Sequence, residues 1–263
     1  MNKYILLLFS VIILFLIVIL AFVINGNEFS SGEKAAYYSA LCAFAMIFIT
    51  LFISVSNSKE NYYNKTFEVL LSQVNKELNE LKNNSNYKNM VKEILFSNYE
   101  IDDKCNSDYK VRNLTGCNNI LHKYDSIFGA FFRILYRTLK HIEINSPYYF
   151  KSGFDKEKFL SGIVRSFIQH DILLLLAINC GIPNSDRENK KIYQGYITLL
   201  KKYNFLEHMQ LNASGLSIAI NNSLSLEHKI NNKSMCDLIR EIVPYYGKNT
   251  FGTNPNRDSY KHL

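Results

Sequence analysis

Two uninterrupted apolar runs occupy most of the first 55 residues, and they limit the fold of this chain more than any other feature. Each run, Tyr4–Ile24 and Ala35–Val55, contains 21 residues and no charged side chain. A helix needs about 20 residues to cross a bilayer, and the ten residues between the runs suffice for a loop between antiparallel helices. The sequence therefore predicts a transmembrane hairpin that carries one soluble domain.

The first run has an alternative interpretation as a cleaved signal peptide. A signal peptide has a shorter apolar stretch followed by a small-x-small cleavage site, and Ala21–Asn25 offers no such site. A retained helix is therefore favoured. The second run could instead be a buried core helix, but its length in so short a protein favours a membrane span.

Basic residues near the helix ends predict the orientation of the hairpin. Lys3 precedes the first helix, and Lys59 and Lys65 follow the second, whereas the connecting loop contains Lys34 together with two glutamates. Both termini are therefore predicted to be cytoplasmic.

The second apolar run also contains small side chains one helical turn apart, such as Ala36 with Ala40 and Ser39 with Ala43. Such pairs allow membrane helices to approach closely. They fit packing within the hairpin or a homo-oligomer. Neither run contains an ionisable side chain at membrane depth, which disfavours a transporter or a proton relay.

The remaining 208 residues contain most of the charge, and the chain has a net charge of +7. A basic cytoplasmic domain is attracted to anionic lipids and also to nucleic acid. Membrane lipids are the favoured partner because the basic residues are spread along the chain. The five cysteines form no C-x-x-C pair, so the sequence predicts reduced thiols, no metal site and no cofactor.

The soluble part shows helical periodicity and no sustained alternation, so the predicted fold is all-α. Residues 1–58 form the hairpin, with helices at about 4–24 and 35–55. Residues 59–83 form a juxtamembrane helix with a heptad seam, which fits either a dimeric coiled coil or an amphipathic helix on its own domain. Residues 84–263 form a cytoplasmic helical bundle. Its predicted helices are Lys88–Phe96, Asn119–Ile144, Lys156–Cys180, Lys190–Met209, Gly215–Ser225 and Met235–Val243.

The segment Ile172–Ile178 is apolar on every side, so we expect it at the buried centre of the bundle. The role of the polar segment 84–119 does not follow from its sequence. It reads as turns or an insertion around one short helix.

Common catalytic motifs, including the phosphate-binding loop and the zinc-protease motif, are missing. One candidate pair remains, Arg165 and His170, whose spacing resembles the R-x4-6-H motif of HEPN-type ribonucleases. In those enzymes the His acts as acid or base and the Arg stabilises phosphate charge. The alternative, that both are surface or structural residues, is favoured.

Several segments of the chain, in order, resemble phage abortive infection proteins of the AbiC-like family. The segment Phe131–Lys140 has that family's aromatic-Arg-x-Leu-Tyr pattern, and Ile163–Cys180 has its Arg-initiated, Leu-rich helix ending in Asn-Cys. Lys202–Leu206 and Phe67–Leu71 resemble two further segments. Two N-terminal membrane helices are also usual in that family.

This resemblance implies bacterial defence in which the infected cell stops growing or dies before the phage matures. We therefore expect a two-pass protein of the bacterial inner membrane. Its helical domain would sense a phage-derived trigger or a defence partner and act through the hairpin. The alternatives are an anchored HEPN-like ribonuclease using Arg165 and His170, and an anchored scaffold.

Overall fold

The computed structural model describes residues 30–97, 108–145, 155–181 and 187–257, together with four isolated positions between residues 15 and 22. These parts of the chain are helical, as the sequence predicts. The helices are α1 (Ser31–Asn83), α2 (Tyr87–Leu95), α3 (Leu114–Lys123), α4 (Asp125–Asn145), α5 (Lys156–Ser166), α6 (His170–Cys180), α7 (Arg187–Lys202), α8 (Ala213–Leu224) and α9 (Asn232–Tyr246), followed by a 3-10 turn at Lys248–Phe251.

Helix α1 is one uninterrupted helix of 53 residues, and it contains the whole second apolar run. It is the one described helix that is long and apolar enough by itself to cross a membrane, and none of its most apolar stretch is buried. The first run lies outside the described residues, except for a few positions. The structure thus contains the second of the two helices predicted for the hairpin.

The chain divides into two compact units. One comprises residues 1–66 and 145–154, and the other comprises residues 67–144 and 155–263. In the second unit, the seam of α1 packs on its own domain, because Phe67, Val74, Leu78 and Leu81 are buried there. This burial is the packing that the amphipathic-helix alternative predicts for the seam.

The helix predicted over Asn119–Ile144 is two helices, α3 and α4, separated at Tyr124. Its buried face is confirmed: Phe128, Phe131, Leu135, Leu139 and Ile142 are at most 1% exposed. At the break, the Tyr124 amide bonds to the carbonyl of Leu121 and the Tyr124 hydroxyl bonds to Glu93. Helix α3 extends the prediction upstream to Asn113, whose side chain caps it by accepting from the Gly116 amide.

The single helix predicted over Lys156–Cys180 is wrong, because α5 and α6 meet at an angle of 114°. Asp155 caps α5 by accepting a hydrogen bond of 3.1 Å from the Lys158 amide. Gln169, in extended conformation, is the N-cap residue that precedes α6. The reason is tertiary, since α5 is amphipathic whereas α6 must be covered on all sides. A straight continuation would carry one of them out of the core.

Helix α6 is the centre of the second unit, as predicted. Residues 172–178 are all 0% exposed, and α6 contacts α3, α7 and α8. Helix α8 buries Leu216, Ile220 and Leu224 and packs on α9 as well, so it is part of the core. Across the described residues, β-pairing is limited to two isolated bridges, of which Tyr109 with Ile230 is one.

Two helix ends differ from prediction. Helix α7 stops at Lys202, seven residues early, because Asn204 takes a left-handed conformation (φ 50°) that Asn tolerates at helix ends. Helix α9 continues through Pro244 to Tyr246. The last turn survives because Tyr246 is 1% exposed and donates a hydrogen bond of 2.8 Å to the Ala177 carbonyl.

Candidate functional site

The bend between α5 and α6 separates the two residues of the predicted ribonuclease motif. Arg165 lies in the last turn of α5, and His170 is the first residue of α6. His170 is exposed, whereas the Arg165 side chain is 13% exposed. The two residues therefore lie on different helices, and not on the single helix predicted over Lys156–Cys180.

Arg165 is committed to contacts within the protein. Its Nη1 atom donates to the Asn204 carbonyl at 2.7 Å and lies 2.9 Å from Oε2 of Glu207, which is 19% exposed. The other oxygen of Glu207 accepts from the amide of Thr253 at 2.8 Å and from the Thr253 hydroxyl. We call Arg165, Asn204, Glu207, His208 and Thr253 the Arg165 junction. It ties α5 to the turn after α7 and to the segment after α9.

The electrostatics of the junction follow from these contacts. Burial by itself would raise the pKa of Glu207, but the Thr253 hydrogen bonds and the Arg165 charge outweigh it, so this pKa is lowered. Partial desolvation lowers the pKa of His208, which is exposed on one side, and the positive charge of Arg165 lowers it further, against the opposing charge of Glu207. The junction thus favours an ionised Glu207 and a neutral His208, and it gives the ribonuclease hypothesis no support.

Acid should weaken this junction in two stages. Because the pKa of His208 is lower in the folded protein, stability is lost as the pH falls below about 6.5, the pKa of His in the unfolded chain. Because the pKa of Glu207 is also lowered, a second loss follows below about 4.3, the pKa of Glu in the unfolded chain. Thermal unfolding of the full-length chain in nonionic detergent, followed by circular dichroism across this range, measures both. His208→Asn should remove the first loss and Glu207→Gln should reduce the second. Unchanged pH profiles in both variants would contradict this assignment.

A second feature is a surface cleft of about 570 Å³ between α4, the end of α6 and α7. We call it the tyrosine cleft, since Tyr136, Tyr193 and Tyr196 line it. The rings of Tyr136 and Tyr196 meet edge to face with centroids 5.2 Å apart. Gly195 allows this approach, because a Cβ there would lie 3.3 Å from the Tyr136 hydroxyl.

The rim of the tyrosine cleft carries opposite charges on α4. Nη1 of Arg133 lies 3.3 Å from Oδ2 of Asp125, and the two side chains are 61% and 57% exposed. Gly129 lies between them, and a Cβ there would come within 2.5 Å of Asp125 and 2.8 Å of Arg133. The absence of a side chain at residue 129 therefore lets the pair form.

Asn179, from the last turn of α6, also lines the cleft and is 6% exposed. Beside it, burial raises the pKa of Cys180 to about 12, so this thiol stays protonated and unreactive at neutral pH. Burial also raises the pKa of Tyr193 and of Tyr196. The cleft therefore offers neutral phenols, a neutral amide and one exposed ion pair.

Sequence reasoning did not predict this cleft. Arg133, Tyr136 and Asn179 entered it only as parts of the segments that carry the resemblance. The sequence shows polar residues within those segments, but whether their side chains line one cleft depends on how α4, α6 and α7 pack together. The structure brings together no group of three or more His, Cys, Asp or Glu side chains suited to a metal within the part of the chain it describes.

The comparisons with known proteins bear on both features. Residues 123–213 match the family model described as putative phage abortive infection protein. No curated protein and no solved structure matches the chain. The matched segment contains Arg165 and Glu207, and all the named tyrosine-cleft residues. The resemblance drawn from the sequence is therefore confirmed: over residues 123–213 this chain matches the family of putative phage abortive infection proteins.

Proposed function

We propose that this chain is a membrane-anchored defence protein of the abortive-infection type. Two N-terminal helices hold it in the bacterial inner membrane with both termini in the cytoplasm. The helical domain recognises a phage-derived trigger or a defence partner, and α1 conveys that event to the membrane. The observation that carries the proposal is α1, which contains an apolar segment and an amphipathic segment in one helix.

The apolar segment of α1 has the surface of a helix made for lipid. Its large side chains are exposed, with Phe44 at 58%, Met46 at 63% and Ile47 at 56%. A core helix of a soluble protein would bury such residues, because leaving each one in water costs about 1.5–3 kcal/mol. A bilayer removes that cost without requiring a protein partner.

The amphipathic segment of the same helix is anchored in the domain core. Val74 is 0% exposed and Leu78 is 6% exposed, so this part of α1 moves only if the packing beneath it changes. No Gly or Pro interrupts the helix between Gly32 and Asn83, and helix kinks occur mostly at such residues. A rearrangement in the domain can therefore shift the membrane segment, which fits a protein that damages the membrane on activation.

Two lysines placed in the apolar segment test the proposal. The double variant Met46→Lys and Ile49→Lys should keep the second helix out of the bilayer, since each Lys near a helix centre costs about 2.5–3.5 kcal/mol of insertion free energy, while the first predicted helix still tethers the chain. Protection from phage should be lost with it. Alkaline extraction of membranes, plaque counts and the membrane potential of infected cells give the three readouts. In wild-type cells the potential should collapse before lysis.

A matched control introduces two lysines three residues apart in α1, outside the apolar segment. The double variant Val69→Lys and Ser72→Lys alters two exposed positions of α1, and it should remain membrane-bound and protective. The proposal fails if the Met46 and Ile49 variant still protects. It also fails if wild-type cells stop growing with an intact potential.

A further inference from the structure

The tyrosine cleft has no part in the proposed membrane function, yet it has the composition of a small-molecule site. Its volume of about 570 Å³ lies within the range of about 300–1,000 Å³ that is usual for such sites. Like them, it combines aromatic walls with a few polar groups. Its ligand can be deduced from three kinds of side chain.

The tyrosines offer a platform for a flat ring. Tyr136 and Tyr196 are held by their edge-to-face contact at 5.2 Å, and Tyr193 lies one helical turn from Tyr196. Aromatic side chains bind nucleobases by stacking, which contributes about 1–3 kcal/mol per base. The planar faces of these rings therefore fit a planar heterocycle.

Asn179 supplies a buried amide with unused hydrogen-bonding capacity. Its Nδ2 atom makes one long contact, 4.0 Å to Sγ of Cys180, and its side chain makes no further hydrogen bond with the described residues. The amide therefore keeps donor and acceptor capacity that a ligand in the cleft can use. An Asn amide has a donor and an acceptor side by side, and this pair matches N6 and N7 of adenine.

Arg133 and Asp125 supply the charges. Their pair is more than half exposed on both sides, so it contributes little to stability and can open for a ligand. A guanidinium binds a phosphate through two parallel hydrogen bonds. A carboxylate accepts hydrogen bonds from ribose hydroxyls, as in dinucleotide-binding proteins.

We infer that the tyrosine cleft binds a purine mononucleotide, with the base against the tyrosines and Asn179 and the phosphate on Arg133. The inference does not depend on the membrane function proposed above, because binding is measured on the purified protein. Free nucleotide is the occupant, since the cleft has the volume of one small molecule.

Isothermal titration of the full-length protein in nonionic detergent tests the inference with AMP, UMP, adenosine and inorganic phosphate. AMP should bind with a Kd below about 1 mM. Adenosine, without the phosphate, should bind about tenfold more weakly. UMP should also bind about tenfold more weakly because its base lacks the N6 and N7 pair. Phosphate alone should show no measurable binding.

Arg133→Gln identifies the phosphate contact, with Arg137→Gln as its control. Both side chains are exposed on α4 and the charge change is equal, but only Arg133 lines the cleft. The first variant should weaken AMP binding about tenfold and leave adenosine binding unchanged, and the second should alter neither. Equal melting temperatures of the two variants show that both are folded.

Several results would overturn the inference. The inference is wrong if AMP does not bind with a Kd below about 1 mM or if AMP and UMP bind equally well. It is also wrong if Arg133→Gln and Arg137→Gln weaken AMP binding equally. Binding of single-stranded RNA without binding of AMP would also overturn it, in favour of a nucleic-acid surface. None of these outcomes affects the membrane proposal, whose test is the lysine variants of α1.

Discussion

Replacing Arg165 with Met should destabilise the domain by about 2–4 kcal/mol, because it leaves a largely buried Glu207 without its cation. The lost contacts are the ion pair of 2.9 Å with Glu207 and the hydrogen bond of 2.7 Å to the Asn204 carbonyl. Both hold the turn after α7, so that turn should loosen first. Thermal unfolding of the full-length chain in nonionic detergent, followed by far-ultraviolet circular dichroism, measures the loss.

The double variant Arg165→Met with Glu207→Met separates charge burial from loss of packing. It removes both charges at once, so it should be more stable than the single variant. Equal destabilisation of the two would show that the electrostatic explanation is wrong. Arg133→Gln provides a surface comparison, since its ion pair is mostly exposed and its removal should change stability by less than about 1 kcal/mol.

The same variants decide how a loss of phage protection is interpreted. An Arg165 variant that no longer protects is explained by unfolding if its melting temperature falls. His170 is exposed and has no packing role, so His170→Ala should keep both stability and protection. A His170 variant that folds normally but fails to protect would instead require the catalytic role considered for this pair.

The fold was predictable wherever one local pattern decided it. Residues 172–178 have no polar face, so burial at the centre of the domain followed from their composition. The face of α4 through Phe131, Leu135 and Leu139 followed from helical spacing in the same way. In both cases the sequence pattern and the final packing agree, and no distant residue is needed to explain them.

The break between α5 and α6 was not predictable from the same signals, because no Gly or Pro marks it. The residues at the break, Phe167–Gln169, are compatible with a helix, and only the need to surround α6 forces the chain to turn. The tyrosine cleft was missed for a related reason. Its polar groups, such as Arg133 and Asn179, come from positions far apart in sequence, and helical periodicity says nothing about which helices become neighbours.

Replacing Asp171 with Ala should destabilise the domain more than Arg165→Met does, by about 3–5 kcal/mol. Asp171 is 2% exposed at the start of α6. Its Oδ2 atom accepts from the hydroxyls of Tyr87 and Ser223, each at 2.7 Å. Burial and the charge of Asp171 raise the pKa of Tyr87, so this phenol remains a donor. Without the carboxylate, both hydroxyls lose their acceptor inside the protein.

A triple variant tests whether unsatisfied hydroxyls are the cause. Adding Tyr87→Phe and Ser223→Ala to Asp171→Ala removes the stranded donors, so about 1–3 kcal/mol should be recovered. Asp171→Asn should cost less than Asp171→Ala, because its amide oxygen can still accept one of the two hydrogen bonds. If the triple variant is less stable than Asp171→Ala, the carboxylate acts instead through its negative charge at the start of α6. Part of that effect would reach Lys82, whose pKa is lowered by burial against the opposing charge of Asp171. Thermal unfolding of the four proteins under one condition distinguishes a buried hydrogen-bond network from a buried charge.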